Sequence, residues 1–198
     1  MSYKVGVIGV GKLGNFHCKN LDQMPQAELT GVYDIDSSKA QEIAQKFHCQ
    51  EFASAEELIQ AVDIVGIIVP TVDHLTLAKI ALMANKPVFV EKPIANTISE
   101  AEELARLADE TNTPVQVGHI ERFNPAVQAL DDYHLSPRFI ESHRLSPFDP
   151  RGTDVAVILD LMIHDIDIIL SLVNSPVADI RANGVAVISE EADIANAR

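Results

Sequence analysis

Short apolar runs and longer amphipathic stretches alternate along roughly the first 120 residues. Residues 4–8, 27–33, 64–69, 87–90 and 115–118 are rich in Val, Ile and other apolar side chains, with little polar alternation. Runs of that kind predict strands covered on both faces, as in a parallel sheet. A short further strand is predicted near residues 50–52. Between the strands, residues 12–24, 37–47, 55–60, 72–84 and 97 to about 110 predict helices. Their ends are marked. Asp36 or Ser37 caps the second helix, Ser54-Ala-Glu-Glu57 forms a capping box, and Thr97 caps the last one. Pro70 stops the run before it. This βαβ order predicts an α/β fold, a doubly wound parallel sheet with helices on both faces.

The pattern changes after residue 120. Residues 124–133 read as a helix with Pro125 in its first turn. Residues 138–145 alternate like a strand, and 146–153 form a loop rich in Pro, Asp and Gly. Residues 154–173 predict one long helix, 177–188 a strand, and 190–198 a short helix leading into a strand. The polar residues of the long helix are Asp160, His164, Asp165, Asp167 and Ser171. Asp160, His164, Asp167 and Ser171 fall on one stripe. That stripe is either a solvated face or an Asp–His pair that orients a general base.

The most specific stretch opens the chain. The run Lys4-Val-Gly-Val-Ile-Gly9-Val-Gly11-Lys12-Leu13-Gly14 places G-x-G-x-x-G between a predicted strand and a predicted helix. In that context Gly9 permits the tight turn and Gly11 lets a pyrophosphate approach the backbone. Gly14 lets the helix pack on the strand, with its N-terminus toward the phosphates. Asp34 follows the second strand, twenty residues past Gly14, where a carboxylate meets an adenosine ribose. Parallel sheets of this kind bind ligands at the carboxyl ends of their strands. Gly9–Gly14, Asp34, Pro70–His74, Glu91–Pro93 and His119–Asn124 all fall at such ends.

Composition narrows the partners. The 198 residues are 47% hydrophobic, enough for a real core, and the formal charge of −14 disfavours nucleic acid and anionic membranes. Residues 155–173 are apolar but carry Asp160, His164, Asp165 and Asp167, a poor membrane span. No basic, apolar leader opens the chain. Two cysteines, Cys18 and Cys49, without CxxC spacing, fit a reduced cytoplasmic setting. His17, His48, His134 and His143 show no ligand spacing, so no metal site is assigned.

Taken together, the chain resembles the Gfo/Idh/MocA oxidoreductases. The glycine loop, the Glu91-Lys92-Pro93 tripeptide, the segment Gly118-His-Ile-Glu-Arg-Phe-Asn-Pro125 and the D-x-x-x-H of Asp160 and His164 carry the resemblance. Within that family the segments 147–151 and 161–167 look closest to nucleotide-sugar 3-dehydrogenases. The resemblance implies a Rossmann domain over residues 1–120 that binds NAD, followed over 121–198 by an incomplete α+β substrate domain. Family members continue for another hundred residues or more, so a truncated chain with unpaired strand edges is expected, and a homodimer is implied.

It also implies roles. Gly9, Gly11, Lys12, Leu13 and Gly14 would lie against the pyrophosphate, and Asp34 would hold the ribose, favouring NAD over NADP. Pro70, Thr71, His74 and Glu91 would border the nicotinamide half. Lys92 matches the catalytic lysine, His164 the general acid/base and Asp160 its acidic partner at the substrate. The Lys92–Pro93 bond is expected to be cis. Arg144 and Arg151 are either a clamp for a substrate diphosphate or ordinary surface arginines. Arg122 and Asn124 either touch ligand or, for Asn124, cap a helix. One departure stands out: Asp154-Val-Ala-Val-Ile158 replaces the family's glycine-rich run before D-x-x-x-H. The implied activity is hydride transfer between NAD and a sugar hydroxyl, a nucleotide sugar such as UDP-N-acetylglucosamine at C3. The other readings are an inositol or polyol dehydrogenase, a non-catalytic NAD-binding regulator, and biliverdin-type reduction.

Overall fold

A computed structural model describes residues 2–146, 156–188, 190 and 192–198. They form two compact units, Met1–Gly118 and His119–Arg198.

In the first unit β1 (Tyr3–Ile8), α1 (Lys12–Asp22), β2 (Ala27–Tyr33), α2 (Ser37–Phe47), β3 (Gln50–Glu51) and α3 (Ala55–Ala61) follow one another. β4 (Ile64–Ile67), α4 (His74–Met83), β5 (Val88–Val90), α5 (Ile98–Thr111) and β6 (Val115–Val117) complete it. The sheet order is β3-β2-β1-β4-β5-β6 and every pairing is parallel. Chain order reverses between β1 and β4, the switch point at which the strand ends open a crevice. The predicted caps are formed. Asp36 accepts the Ser38 N–H at 3.1 Å, and Ser54 accepts that of Glu57 at 3.1 Å. Thr97 and Glu100 make a reciprocal capping box.

Two apolar clusters sit on the two faces of the sheet. Successive residues of β1 divide between them: Val7 packs with Val32, Cys18 and Ile43, whereas Ile8 packs with Leu58, Ile67, Leu82 and Leu104. Each fully buried Leu or Ile contributes about 1.5–3 kcal/mol of transfer free energy. That burial locks the strand register, which in turn lines up the strand ends.

The second unit is built differently. It holds a 3₁₀ turn (Ile120–Phe123), α6 (Pro125–Gln128), a π turn (Ile158–Met162) running into α7 (Ile163–Leu172), and an antiparallel hairpin of β7 (Ala182–Val185) and β8 (Ile194–Ala197). Several expectations are corrected. The helix predicted over 124–133 ends at Gln128 and continues as tight turns, among them Leu130 N–H to Val127 O at 2.9 Å. Most of its side chains are exposed, and a helix with no face to bury does not propagate. Residues 138–145 form no strand, because Ser142 and Arg144 turn instead to Asp165. The strand predicted over 177–188 shrinks to β7. The helix predicted near the end is β8, with Asp193 accepting the Val187 and Ile188 N–H groups at 2.6 and 2.7 Å to close the turn. Of the predicted long helix, residues 154 and 155 lie outside the described residues, and Asp160 sits in the π turn rather than in regular α-helix.

Candidate active site

The glycine loop is dictated by what surrounds it. Gly9 has φ of 85°, and a Cβ there would stand 2.3 Å from the Ile68 carbonyl oxygen. A Cβ on Gly14 would stand 2.0 Å from the Gly9 carbonyl oxygen, so α1 could not come down onto the loop. Gly11 is the opposite case: among the described residues nothing lies within 4 Å of where its Cβ would be. Gly11 is also the N-cap of α1 and makes no side-chain cap bond, and Lys12 and Leu13 behind it are exposed. Open space in front of the first-turn N–H groups is what a pyrophosphate requires.

Asp34, at the end of β2, reaches back to this loop. Its Oδ2 accepts the Val10 N–H at 2.8 Å and its Oδ1 the Asp36 N–H at 2.9 Å. The carboxylate therefore braces the loop, and each oxygen keeps further acceptor capacity for a ribose hydroxyl. The residues present fit an NAD dinucleotide: an open glycine, a helix N-terminus and a held carboxylate.

Glu91 and Lys92 leave the sheet at the end of β5. The Glu91 N–H donates to Ile67 O at 3.1 Å, and there the ladder stops. The Lys92–Pro93 bond is cis. Glu91 is nearly buried; its Oε1 lies 2.8 Å from His17 Nε2, and its Oε2 accepts the Lys92 N–H at 3.1 Å. Burial acts to raise the Glu91 carboxyl, but the His17 bond and the Lys92 N–H outweigh it, and the group ends below the ordinary glutamate value. Pro70 is exposed, and Thr71 opens a 3₁₀ turn (Thr71–Asp73) leading into α4. His74 is 1% exposed, with Nδ1 3.0 Å from Pro93 O and Nε2 3.0 Å from Val69 O. Both ring nitrogens are thus engaged by main chain.

The second unit carries the other candidates. Asp160 and His164 are half-buried. Asp167 is 9% exposed and takes a two-pronged bond from Arg122 at 2.7 and 2.6 Å, with His119 Nδ1 3.8 Å away. Arg144 grips Asp165 at 2.7 and 3.2 Å, and Ser142 adds a bond at 2.9 Å. The guanidinium partners hold both aspartates below the ordinary value, and the aspartates raise both arginines. Asn124 caps α6, accepting the Ala126 N–H at 3.0 Å. Arg151 lies outside the described residues. No group of three or more potential metal ligands occurs among the described residues, and no helix there is long and apolar enough to cross a membrane.

The contacts of His17 with Glu91 and of His119 with Asp167, and the aspartate–arginine pairing, escaped sequence reasoning. Only His17 had a usable signal: it follows Gly14 by three residues, on the face of α1 that also buries Gly14 and Cys18. The others depend on contacts between residues far apart in sequence.

Comparison with known proteins bears on the whole arrangement. Residues 3–119 match the oxidoreductase family with an NAD-binding Rossmann fold, Gfo/Idh/MocA. The chain is 40% identical to the UDP-N-acetylglucosamine 3-dehydrogenase of Acidithiobacillus ferrooxidans, over 98% of this chain and 62% of that protein. A solved structure of that enzyme superposes with a TM-score of 0.94, covering all of this chain and 63% of the other, at 39% identity. A scyllo-inositol dehydrogenase from Lactobacillus casei, solved with bound cofactor NAD(H) and scyllo-inositol, shares the fold at a TM-score of 0.79 and 22% identity, over 100% of this chain and 65% of that one. The chain thus spans a little under two thirds of the relatives it matches. By its matched residues and its fold, the chain belongs to the Gfo/Idh/MocA family of oxidoreductases with an NAD-binding Rossmann fold.

Proposed function

We propose that this chain serves an NAD-dependent dehydrogenase that oxidises a sugar hydroxyl, with a nucleotide sugar of the UDP-N-acetylglucosamine type, reacting at C3, as substrate. The observation that supports it most is the placement of Lys92. It follows β5, two strands from the glycine loop that follows β1, on the same edge of the sheet. At the ordinary strand spacing that is about 10 Å, a fitting reach between pyrophosphate and nicotinamide. Bound NAD supplies the carbon that accepts the hydride. The chain's own groups do the rest. Gly9, Gly11, Lys12, Leu13 and Gly14 hold the pyrophosphate and Asp34 the ribose. Pro70, Thr71 and Glu91 border the nicotinamide. The Lys92 ammonium lowers the cost of negative charge on the substrate oxygen. His164, with Asp160 one turn before it, takes the hydroxyl proton.

In this reading residues 121–198 begin the substrate domain, with Arg122, Asn124, Arg144 and Arg151 as candidates for substrate contact. Arg122 and Arg144 reach a ligand only with donors beyond those given to Asp167 and Asp165. The working protein is a homodimer in a reducing cytoplasm, where Cys18 and Cys49, neither in a disulfide, stay thiols.

The test is NADH formation from a panel of nucleotide sugars and inositols, comparing wild type with Lys92→Ala and His164→Ala. Turnover of the UDP-sugar, falling on the order of 100- to 10,000-fold in either variant, supports the proposal. Turnover of inositols alone moves the substrate to polyols. NAD binding with no turnover of anything marks a non-catalytic module. Activity that survives both substitutions removes the assigned roles.

A further inference from the structure

The turn that carries Lys92 is tied to its surroundings through side chains. Pro93 has no N–H, and the sheet ladder ends at Glu91. Two main-chain groups of the turn, Lys92 N–H and Pro93 O, both find side chains. Glu91 Oε2 takes the first, and the same carboxylate is tied through Oε1 to His17 on α1. His74 takes the second through Nδ1, while its Nε2 meets Val69 O at the end of β4. Carbonyl oxygens only accept, so each His74 contact is a hydrogen bond when the ring nitrogen facing it carries its N–H. The His17 ring lies against Phe89 of β5, centroids 5.1 Å apart, which limits its swing.

We propose that His17 and His74 are positioning residues that clamp the Lys92 main chain from two sides. His17 acts through Glu91, and His74 bridges the ends of β4 and β5 through its contacts with Val69 O and Pro93 O. This gives His74 a role other than contact with cofactor. It is 1% exposed and its ring nitrogens are used. The function assigned to the clamp rests on the reading of Lys92 as the group at the reacting oxygen. The clamp's existence does not.

The clamp matters because the ammonium of a lysine is placed by its Cα before it is placed by its own rotamers. A shift of about 1 Å at a reacting group costs on the order of 100-fold in rate. Glu91 is well suited to pass such an effect along. A Cβ on Gly118, just past β6, would lie 3.0 Å from Glu91 Oε2, so the chain there packs closely on the carboxylate.

The experiment combines spectroscopy on the unliganded chain with kinetics. Histidine side-chain ¹⁵N–¹H spectra should show a His74 ring N–H that exchanges slowly with solvent, as a donor buried against a carbonyl does. A His74 ring N–H that exchanges like that of an exposed imidazole overturns the bridge. His17→Leu should displace the Lys92 amide resonance in the absence of NAD, and His17→Gln, which keeps a donor toward Glu91, should largely restore it. An unmoved Lys92 amide in His17→Leu and in His74→Gln overturns the clamp. In turnover, His17→Leu and His74→Gln should lower kcat roughly 10- to 100-fold while NAD affinity stays within about twofold, the split of a group that places rather than binds. An NAD affinity that falls in step with kcat makes these residues cofactor contacts and overturns the proposal. If Lys92→Ala retains activity while the amide shifts behave as stated, the clamp stands and the role given to Lys92 falls.

Discussion

The two units of this chain hold themselves together by different physics. In Met1–Gly118 the large fully buried side chains are, apart from His74, Leu, Ile and Val on two faces of a parallel sheet. In His119–Arg198 the only buried residue among those described is an aspartate, Asp167, and the apolar side chains of α7 and the region before it are left open: Ile158, Leu159, Ile166 and Leu170 are 36–51% exposed. Asp165 and Asp167 are engaged by arginines, and Asp160 and His164 are half-buried, as are Ile163, Ile168 and Ile169. The hydrophobic term is non-directional and grows with buried area, so it stabilises the first unit as a whole. Ion pairs act at points, and each is modest where water reaches it.

The contrast predicts unequal responses to the same kind of change. The largest loss belongs to the first core. Leu104→Ala, at a site with 0% exposure, should cost about 2–5 kcal/mol by denaturant unfolding. A cost below about 1 kcal/mol would mean that the sheet faces are not the source of stability. Next comes Asp167→Ala, which removes both bonds to Arg122. A cost of about 1–3 kcal/mol is expected, read as faster amide exchange confined to the second unit. Exchange that rises across the first unit as well would break the separation.

The acid response follows in size. Asp165 and Asp167 sit below the ordinary aspartate value of 3.8 because arginine bonds favour their charged forms. Above that value they are ionised both folded and unfolded, and their stabilisation is fully present. It is lost as pH falls through their lower folded values. Amide exchange in α7 should therefore accelerate below about pH 4, and Asp167→Asn should flatten the change. A flat wild-type response would show that the pairs do no work. Smallest of all, Leu170→Ser on the 51% exposed position should move stability by no more than about 0.5 kcal/mol. A larger loss would show that α7 buries that face in solution.

Legibility followed the same division. In the first unit each local signal agrees with the packing it serves: the glycine at 14 and its missing Cβ, the capping Thr97 and its Glu100, the strand 27–33 with its ends as read. Parallel strands covered on both faces leave little freedom in register. In the second unit short segments such as 138–145 and 190–198 have alternation without a local partner. Their state depends on what they meet, so a strand was read where the chain runs irregularly to Asp165, and a helix where β8 pairs with β7. Arg144 reads as a phosphate clamp or a surface arginine and Arg122 as a ligand contact, since nothing local announces an aspartate 21 or 45 residues away.

Sequence alone determined the α/β order, the loop chemistry at Gly9, Gly11 and Gly14, and the position of Lys92 after a buried strand. These rest on period, on steric permission and on residues a few positions apart. Only the tertiary structure decided that Asp34 braces the loop it faces, that His74 lies buried between two carbonyls, and that Glu91 answers to His17. A hydrogen bond between distant residues is chosen by where packed elements bring their donors, and the chain does not encode that choice one residue at a time.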